Sequence, residues 1–366
     1  MLKKIFETIA PPHLAMPNDA IGLQIGSWNQ TVDKILVTLD VNEDVADEAI
    51  ALGAQMIFCH HAPLYKPLSR ISTDEANGKM VKKLLLHDIS VYAAHTNLDI
   101  VFGGVNDALA DALQLQNIRI LYPTKTDMLK KIVVYVPVTH HQQVLQAMGD
   151  AGAGAIGNYS HCTFNVQGTG TFLPGEASNP YIGEAGTLEH VDEIRLETVV
   201  DASNMQRVIQ AMLAHHPYEE VAYDIYPMDR AAAEFGLGRV GEYQEPVAYE
   251  EFISRVKAVV SADVLQIAGK TGQSIKTVAV CGGSGGRFMS HALANQADVF
   301  ISGDITYHDA QWAAEHGLFV INAGHYQTEH LVVEQVSKQL QRLLAEQGKQ
   351  VEVVSSSIHT DPFAYI

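Results

Sequence analysis

Basic residues and cysteines are both scarce in this 366-residue chain, and each shortage narrows what it can be. Only 24 Lys and Arg stand against 42 Asp and Glu, a formal net charge of −18. A field of that sign repels phosphate backbones at long range, and no basic run longer than a pair offers a local override, so nucleic acid is disfavoured as a partner. The three cysteines, Cys59, Cys162 and Cys281, form no CxxC. That argues against a disulfide framework or a zinc knuckle and points to a reducing compartment, the cytoplasm. No apolar run approaches a membrane span, so no membrane partner is expected. The opening Met1-Leu2-Lys3-Lys4-Ile5-Phe6-Glu7 reads as an amphipathic helix rather than a secretory leader.

Histidine, by contrast, is plentiful at 17 residues, and several stand where apolar strands end. The run Met56-Ile57-Phe58-Cys59 suits a buried strand and stops at His60-His61-Ala62-Pro63. Neighbouring side chains in a strand point to opposite faces, so both imidazoles serve one site only if the chain bends there. Ligand sites in open α/β sheets lie at the carboxyl ends of strands. The same pattern recurs at His95 and Asp99, at Asp304 and His308, and at His325. His325 and Glu329 stand four apart at the start of a long helix, which puts both on one face. His60, His61, Asp99, His325 and Glu329 are too many donors for one catalytic zinc, and they suffice for two divalent ions sharing a carboxylate. Nitrogen and oxygen donors without thiolate suit Zn, Fe, Mn, Co or Ni alike. His140-His141 and His215-His216 lack carboxylates at strand ends and read as surface features, the second pair also suiting a ligand or inter-subunit contact.

The remaining pattern is strand, helix, strand, the rhythm of an α/β layer. Strands are expected at Lys34 to Val41, Met56 to Cys59 and Ser90 to Ala94, with helices between. From about Pro123 the register changes to strand Lys131 to Val138, helix Thr139 to Ala151 and strand Cys162 to Val166. A polar Gly/Pro-rich stretch to Gly186, strand Glu193 to Val200, helix Ser203 to His215 and strand Val221 to Tyr226 follow. That order is ferredoxin-like. The reading is therefore a three-layer α/β core made from residues 1–126 and 231–366, with an inserted α+β ferredoxin-like domain at 127–230. In the second half, Gly282-Gly283-Ser284-Gly285-Gly286 follows a strand and precedes a helix, where backbone N–H groups can cradle an anion; Gly283, Ser284 and Gly285 are candidate substrate contacts. The loop has no lysine of a nucleotide-binding Walker loop.

Several of these segments, taken together, resemble one family. They are His60-His61-Ala62-Pro63, His95-Thr96-Asn97-Leu98-Asp99 with Gly103-Gly104 and Asn106, Gly303-Asp304 with Tyr307-His308 and Ala310, and Gly324-His325 with Glu329. Asn18-Asp19 with Gly22-Leu23 and Cys281 to Gly285 agree in the same order. The resemblance is to the GTP cyclohydrolase type 2-like, NGG-interacting-factor-like proteins, a family of dinuclear-metal toroids. Its longer members carry an insert resembling nitrogen-regulatory and cation-tolerance proteins, matched here over 127–230 with His216-Pro217-Tyr218-Glu219-Glu220. The resemblance implies metal ligands at His60, His61, Asp99, His325 and Glu329, with His95, Asp304 and His308 as groups that orient ligands or move protons. It implies a homohexameric ring and a metal-dependent hydrolase that opens the purine ring of a nucleotide. The competing expectation is a metal-binding regulatory protein without turnover, whose insert senses a small molecule.

Overall fold

The computed structural model describes residues 1–364 and shows a mixed α/β protein. The chain divides into two compact units, one made of Met1–Lys125 with Phe235–Ile366 and the other of Thr126–Glu234.

In the first unit a five-stranded sheet runs Gly22–Ile25, Ser90–Ala93, Met56–Cys59, Lys34–Thr38, Glu352–Ser355. Its first pair is antiparallel and the rest are parallel. The central strands are apolar throughout because both faces are covered. Helices Glu43–Leu52 and Ala76–Leu86 bury Val45, Ala49, Val81 and Leu84 against one face. Asn42 caps the first by accepting from the Val45 N–H, and Gly53 ends it in the left-handed region. A second set of strands in this unit places Ile275–Ser284 beside Val299–Gly303 and Phe319–Asn322, all parallel, with Gln266–Ala268 antiparallel at the edge. The core between the two sheets joins Phe58 and Tyr92 to Phe300, Val320, Val336 and Leu340.

The central parallel strands of both sheets stop on residues of the site, His60 after Cys59 and Asp304 after Gly303. The long helix expected from His325 is in fact two, His325–Glu329 and Leu331–Glu346. The glycine-rich run Gly236 to Gly241 lies inside the strand Tyr223–Val247. Gly238 takes φ +67°, where a Cβ would meet Val280 O and Leu121 at 2.8 Å, so the glycine permits close packing inside a strand.

The second unit has the order strand, helix His141–Asp150, strand Thr163–Phe172, strand Glu189–Asp201, helix Met205–His215, strand. Its antiparallel pairing sets Thr163–Phe172 beside Glu189–Asp201, and that strand beside Leu129 to Pro137. Val144, Met148, Val208 and Met212 of the helices pack on Ile132, Val134, Val136 and Leu196 of one sheet face. Two expectations differ here. The polar glycine stretch after Val166 continues as strand to Phe172, and His216 is buried, its Nε2–H donating to the Tyr135 carbonyl at 2.9 Å.

Candidate metal centre

His60 and His61 leave the end of the strand Met56–Cys59 through backbone bonds from both N–H groups to the Leu39 carbonyl, and this bend brings both rings to one side. Asp99 arrives from the short helix Thr96–Ile100 after the next strand, and His325 with Glu329 from the short helix after Phe319–Asn322. Two three-residue groups result, His60 with Asp99 and Glu329, and His61 with His325 and Glu329; within each, the donor atoms lie within 4.8 Å of one another. Glu329 belongs to both. Its Oε2 is 3.0 Å from His61 Nε2 and 3.2 Å from His325 Nε2, and its Oε1 is 3.8 Å from His60 Nε2. His60 Nε2 lies 3.6 Å from Asp99 Oδ1.

Behind the cluster each imidazole is fixed by its other nitrogen. His60 Nδ1 meets the Ala94 carbonyl at 2.9 Å, His61 Nδ1 meets Asp40 at 2.7 Å, and His325 Nδ1 meets Asp304 at 2.7 Å. Carbonyl and carboxylate oxygens only accept, so Nδ1 carries a hydrogen and Nε2 is the nitrogen that faces the cluster and could coordinate an ion. His60 Nε2 and Asp99 Oδ1 are buried without a hydrogen-bond partner among the described residues. Buried polar atoms left this way are costly unless something satisfies them, and a divalent cation fits three imidazoles and two carboxylates that converge without thiolate.

Charge deepens the same picture. Burial alone would lift Glu329, but the imidazoles of His325, His60 and His61 hold its carboxyl well below the ordinary range. Burial raises Asp99, with His60 pulling the other way. Burial works to lower His61, yet Asp40 and Glu329 push it up to about 10; Glu329 leads in raising His325 to about 9.

The groups expected to orient ligands separate. Asp304 accepts from His325 Nδ1. His95 stands closer than that role requires: its donor nitrogen forms a third group with His60 and His61, and its Nδ1 donates to Asp19 at 2.7 Å. His308 is exposed and bonds Gln311 on its own helix at 3.0 Å, so the structure does not bring it to the other histidines. The glycine loop is also different from an anion cradle. The Gly282 and Gly283 N–H groups donate to Asn106 and Thr328. Gly283, at φ +63°, is needed because a Cβ would come 2.1 Å from Glu329 Oε1; a Cβ on Gly285 would come 2.2 Å from Ser302 Oγ. Ser284, the third candidate contact, ends the strand Ile275–Ser284. Sequence reasoning gave no role to Asp40 or Asp19. Asp40 closed its strand in plain view, and Asp19 sat in the Asn18-Asp19 motif.

A cavity of about 730 Å³ opens on His61 and His325. Asp40, Asp304, Asn322, Gln327 and Asp361 give it polar walls, and no Lys or Arg lines it among the described residues. Its far wall is the C-terminal segment, tied to the centre by a hydrogen bond from the Thr360 hydroxyl to Asp40.

Comparison with known proteins agrees over nearly the whole length. The family description Duf34/NIF3 (NGG1p interacting factor 3) matches residues 1–362. The chain is 47% identical to the GTP cyclohydrolase 1 type 2 homolog of Halalkalibacterium halodurans, over 99% of this chain and 97% of that one. It is 45% identical to the Bacillus subtilis protein of the same name, with the same coverage. Among solved structures, a Bacillus cereus protein related to NIF3 superposes with TM-score 0.91 at 46% identity, covering 99% of this chain and 97% of that one. A Staphylococcus aureus protein does so with TM-score 0.76 at 30% identity, covering 100% and 97%.

Proposed function

The chain belongs to the Duf34/NIF3 family, and from that premise we propose that it is a hydrolase of small molecules holding two divalent ions. His60, Asp99 and Glu329 would hold one ion, His61, His325 and Glu329 the other. The observation that carries the reading is Glu329, a buried carboxylate common to both donor groups, with three imidazoles aimed at it. When bound, such a pair activates water as a nucleophile and steadies developing negative charge. The chain's own residues do the rest. Asp40, Asp304 and the Ala94 carbonyl keep the three rings in one tautomer, and His95, backed by Asp19, stands where a proton can be taken up or returned.

The relatives' name suggests a purine nucleotide as substrate. The cavity's polar walls suit a planar polar molecule: Asp40, Asp304 and Asp361 line it beside His61 and His325, and the Asn322 Oδ1 is a buried acceptor without a hydrogen-bond partner among the described residues. The three thiols are all free, which suits cytoplasmic placement. Family likeness further supports a hexameric ring.

The test is metal content and turnover together. Purified protein should hold about two ions per chain, and Glu329→Ala should lose both while keeping its fold. His61→Ala should lower occupancy, and His141→Ala, which faces Asn165 in the other unit's own structure, should leave it intact. Unchanged occupancy in Glu329→Ala defeats the assignment. Full occupancy with no turnover of nucleosides, nucleotides or phosphoesters favours the metal-binding, non-catalytic alternative.

A further inference from the structure

The unit Thr126–Glu234 has a cavity of its own, about 670 Å³, within the range of small-molecule sites. It lies on the sheet face away from the two helices. Cross-strand register explains how it forms. Val166 pairs with Arg195 and Gly168 with Glu193 across the antiparallel strands, so Gly168, Gly170, Glu193 and Arg195 share this face. A glycine inside a strand weakens it and often marks close approach of a ligand or another backbone. Here two glycines alternate along one face. A Cβ on Gly168 would meet nothing, whereas one on Gly170 would come 2.1 Å from Glu193 Oε2. The floor beside the carboxylate is therefore bare backbone.

Glu193 is the second, independent observation. It is only 8% exposed, yet it makes one hydrogen bond: the Tyr218 hydroxyl donates to Oε1 at 2.9 Å. Burial and that bond push the Tyr218 phenol up, so it stays a donor. Oε2, over Gly170, has no partner among the described residues. The walls are aromatic and apolar, with Phe172 and Tyr218 edge to face at 5.9 Å and Pro174, Pro180 and Tyr181 from the following loop. Glu219 and Glu220 also line the cavity, and among the described residues Arg195 is its one cation.

We infer that this cavity binds a flat heteroaromatic amine, its ring against Phe172, Tyr181 and Tyr218 over the glycine floor and its N–H edge donating to Glu193 Oε2. Aromatic walls favour a planar ring by stacking. A carboxylate oxygen that opens on the cavity, its neighbour already held by the Tyr218 hydroxyl, accepts from N–H groups that enter beside it. Three carboxylates against one arginine disfavour phosphate. The site lies wholly in one unit and stands whether or not the metal reading holds.

Titration of the full chain with 2-aminopurine riboside, whose fluorescence changes on stacking, tests this directly, with purine riboside as the partner lacking the amine. The expected result is saturable binding of the amine, about tenfold weaker for purine riboside and for Glu193→Gln. Tyr181→Ala removes an exposed ring that the fold does not need and should weaken binding as well, which guards against misfolding of the first variant. Saturable binding that neither substitution alters overturns the assignment, as does the absence of binding. A fall in assembly mass for Tyr181→Ala by light scattering, with no binding in either protein, gives the cavity to a second copy of the chain instead.

Discussion

Four histidines, His60, His61, His95 and His325, hand their Nδ1 hydrogen to an oxygen behind them and turn Nε2 inward. Two of them hold a proton on Nε2 strongly, His61 with a pKa of about 10 and His325 of about 9. A cation competes for that same atom. Below about pH 9 both protons must leave when the centre fills, so affinity should climb as pH rises toward 9 and 10 and fall as it drops. At pH 7, adding Zn²⁺ or Mn²⁺ to stripped protein in weak buffer should release about two protons per chain from these rings. Calorimetry in buffers of different ionisation enthalpy reads the number, and uptake with no release would mean that these nitrogens are not the donors. Asp40→Asn keeps the shape but weakens the hold on His61, and should lower affinity between about 10- and 100-fold.

At the scale of elements, the segment that delivers Asp99 is held by a residue far from it in sequence. Arg239 is fully buried, with Nε and Nη2 on the two oxygens of Asp107 at 2.8 and 2.7 Å. Its remaining N–H groups donate to the carbonyls of Val101, Gly236 and Gly238. Arg239→Ala strands the Asp107 carboxylate and three carbonyls and should cost about 3–5 kcal/mol, read by urea denaturation, with metal content falling because Asp99 loses its support. A loss under about 1 kcal/mol would show that water replaces the guanidinium.

No pattern in the sequence announced that arginine, which lies in the glycine-rich run Gly236 to Gly241. The strand ends were legible because apolar runs stopping at His60 and at His95 have few other readings, and i, i+4 spacing made His325 and Glu329 a pair. The strand through Gly168 and Gly170 was not, because glycine and threonine alternate there without the apolar side chains that mark a buried face. Period-two patterning fails where the face is a cavity floor. His308 misled for the opposite reason: the Gly303-Asp304 motif continued to it in sequence, but the capped helix beginning at Tyr307 turns it outward.

At the scale of the whole molecule, the chain leaves the first unit after Lys125 and returns at Phe235, and the Thr124 hydroxyl donates to the Phe235 carbonyl at 3.2 Å. Since the two ends already touch, joining Lys125 to Phe235 through a few glycines should leave a soluble protein that still binds metal, and the excised segment should fold alone on its own core. An insoluble or metal-free product would show that the second unit is integral. Assembly is a separate expectation: light scattering should give a mass near six times 39.9 kDa, and a monomer at dilute concentration would remove the ring.

The meeting of Thr124 and Phe235 also has a thermodynamic side. To the first unit, the second is a closed loop whose ends cost nothing to hold together while it stays folded. Unfolded, it becomes a flexible chain of roughly 110 residues, and closing it in place of a short link costs about 2.5 kcal/mol of chain entropy. Anything that keeps the segment Thr126–Glu234 folded therefore keeps that penalty off the metal centre. Occupancy of its cavity should raise the melting temperature of the other unit through the backbone alone, with no contact required.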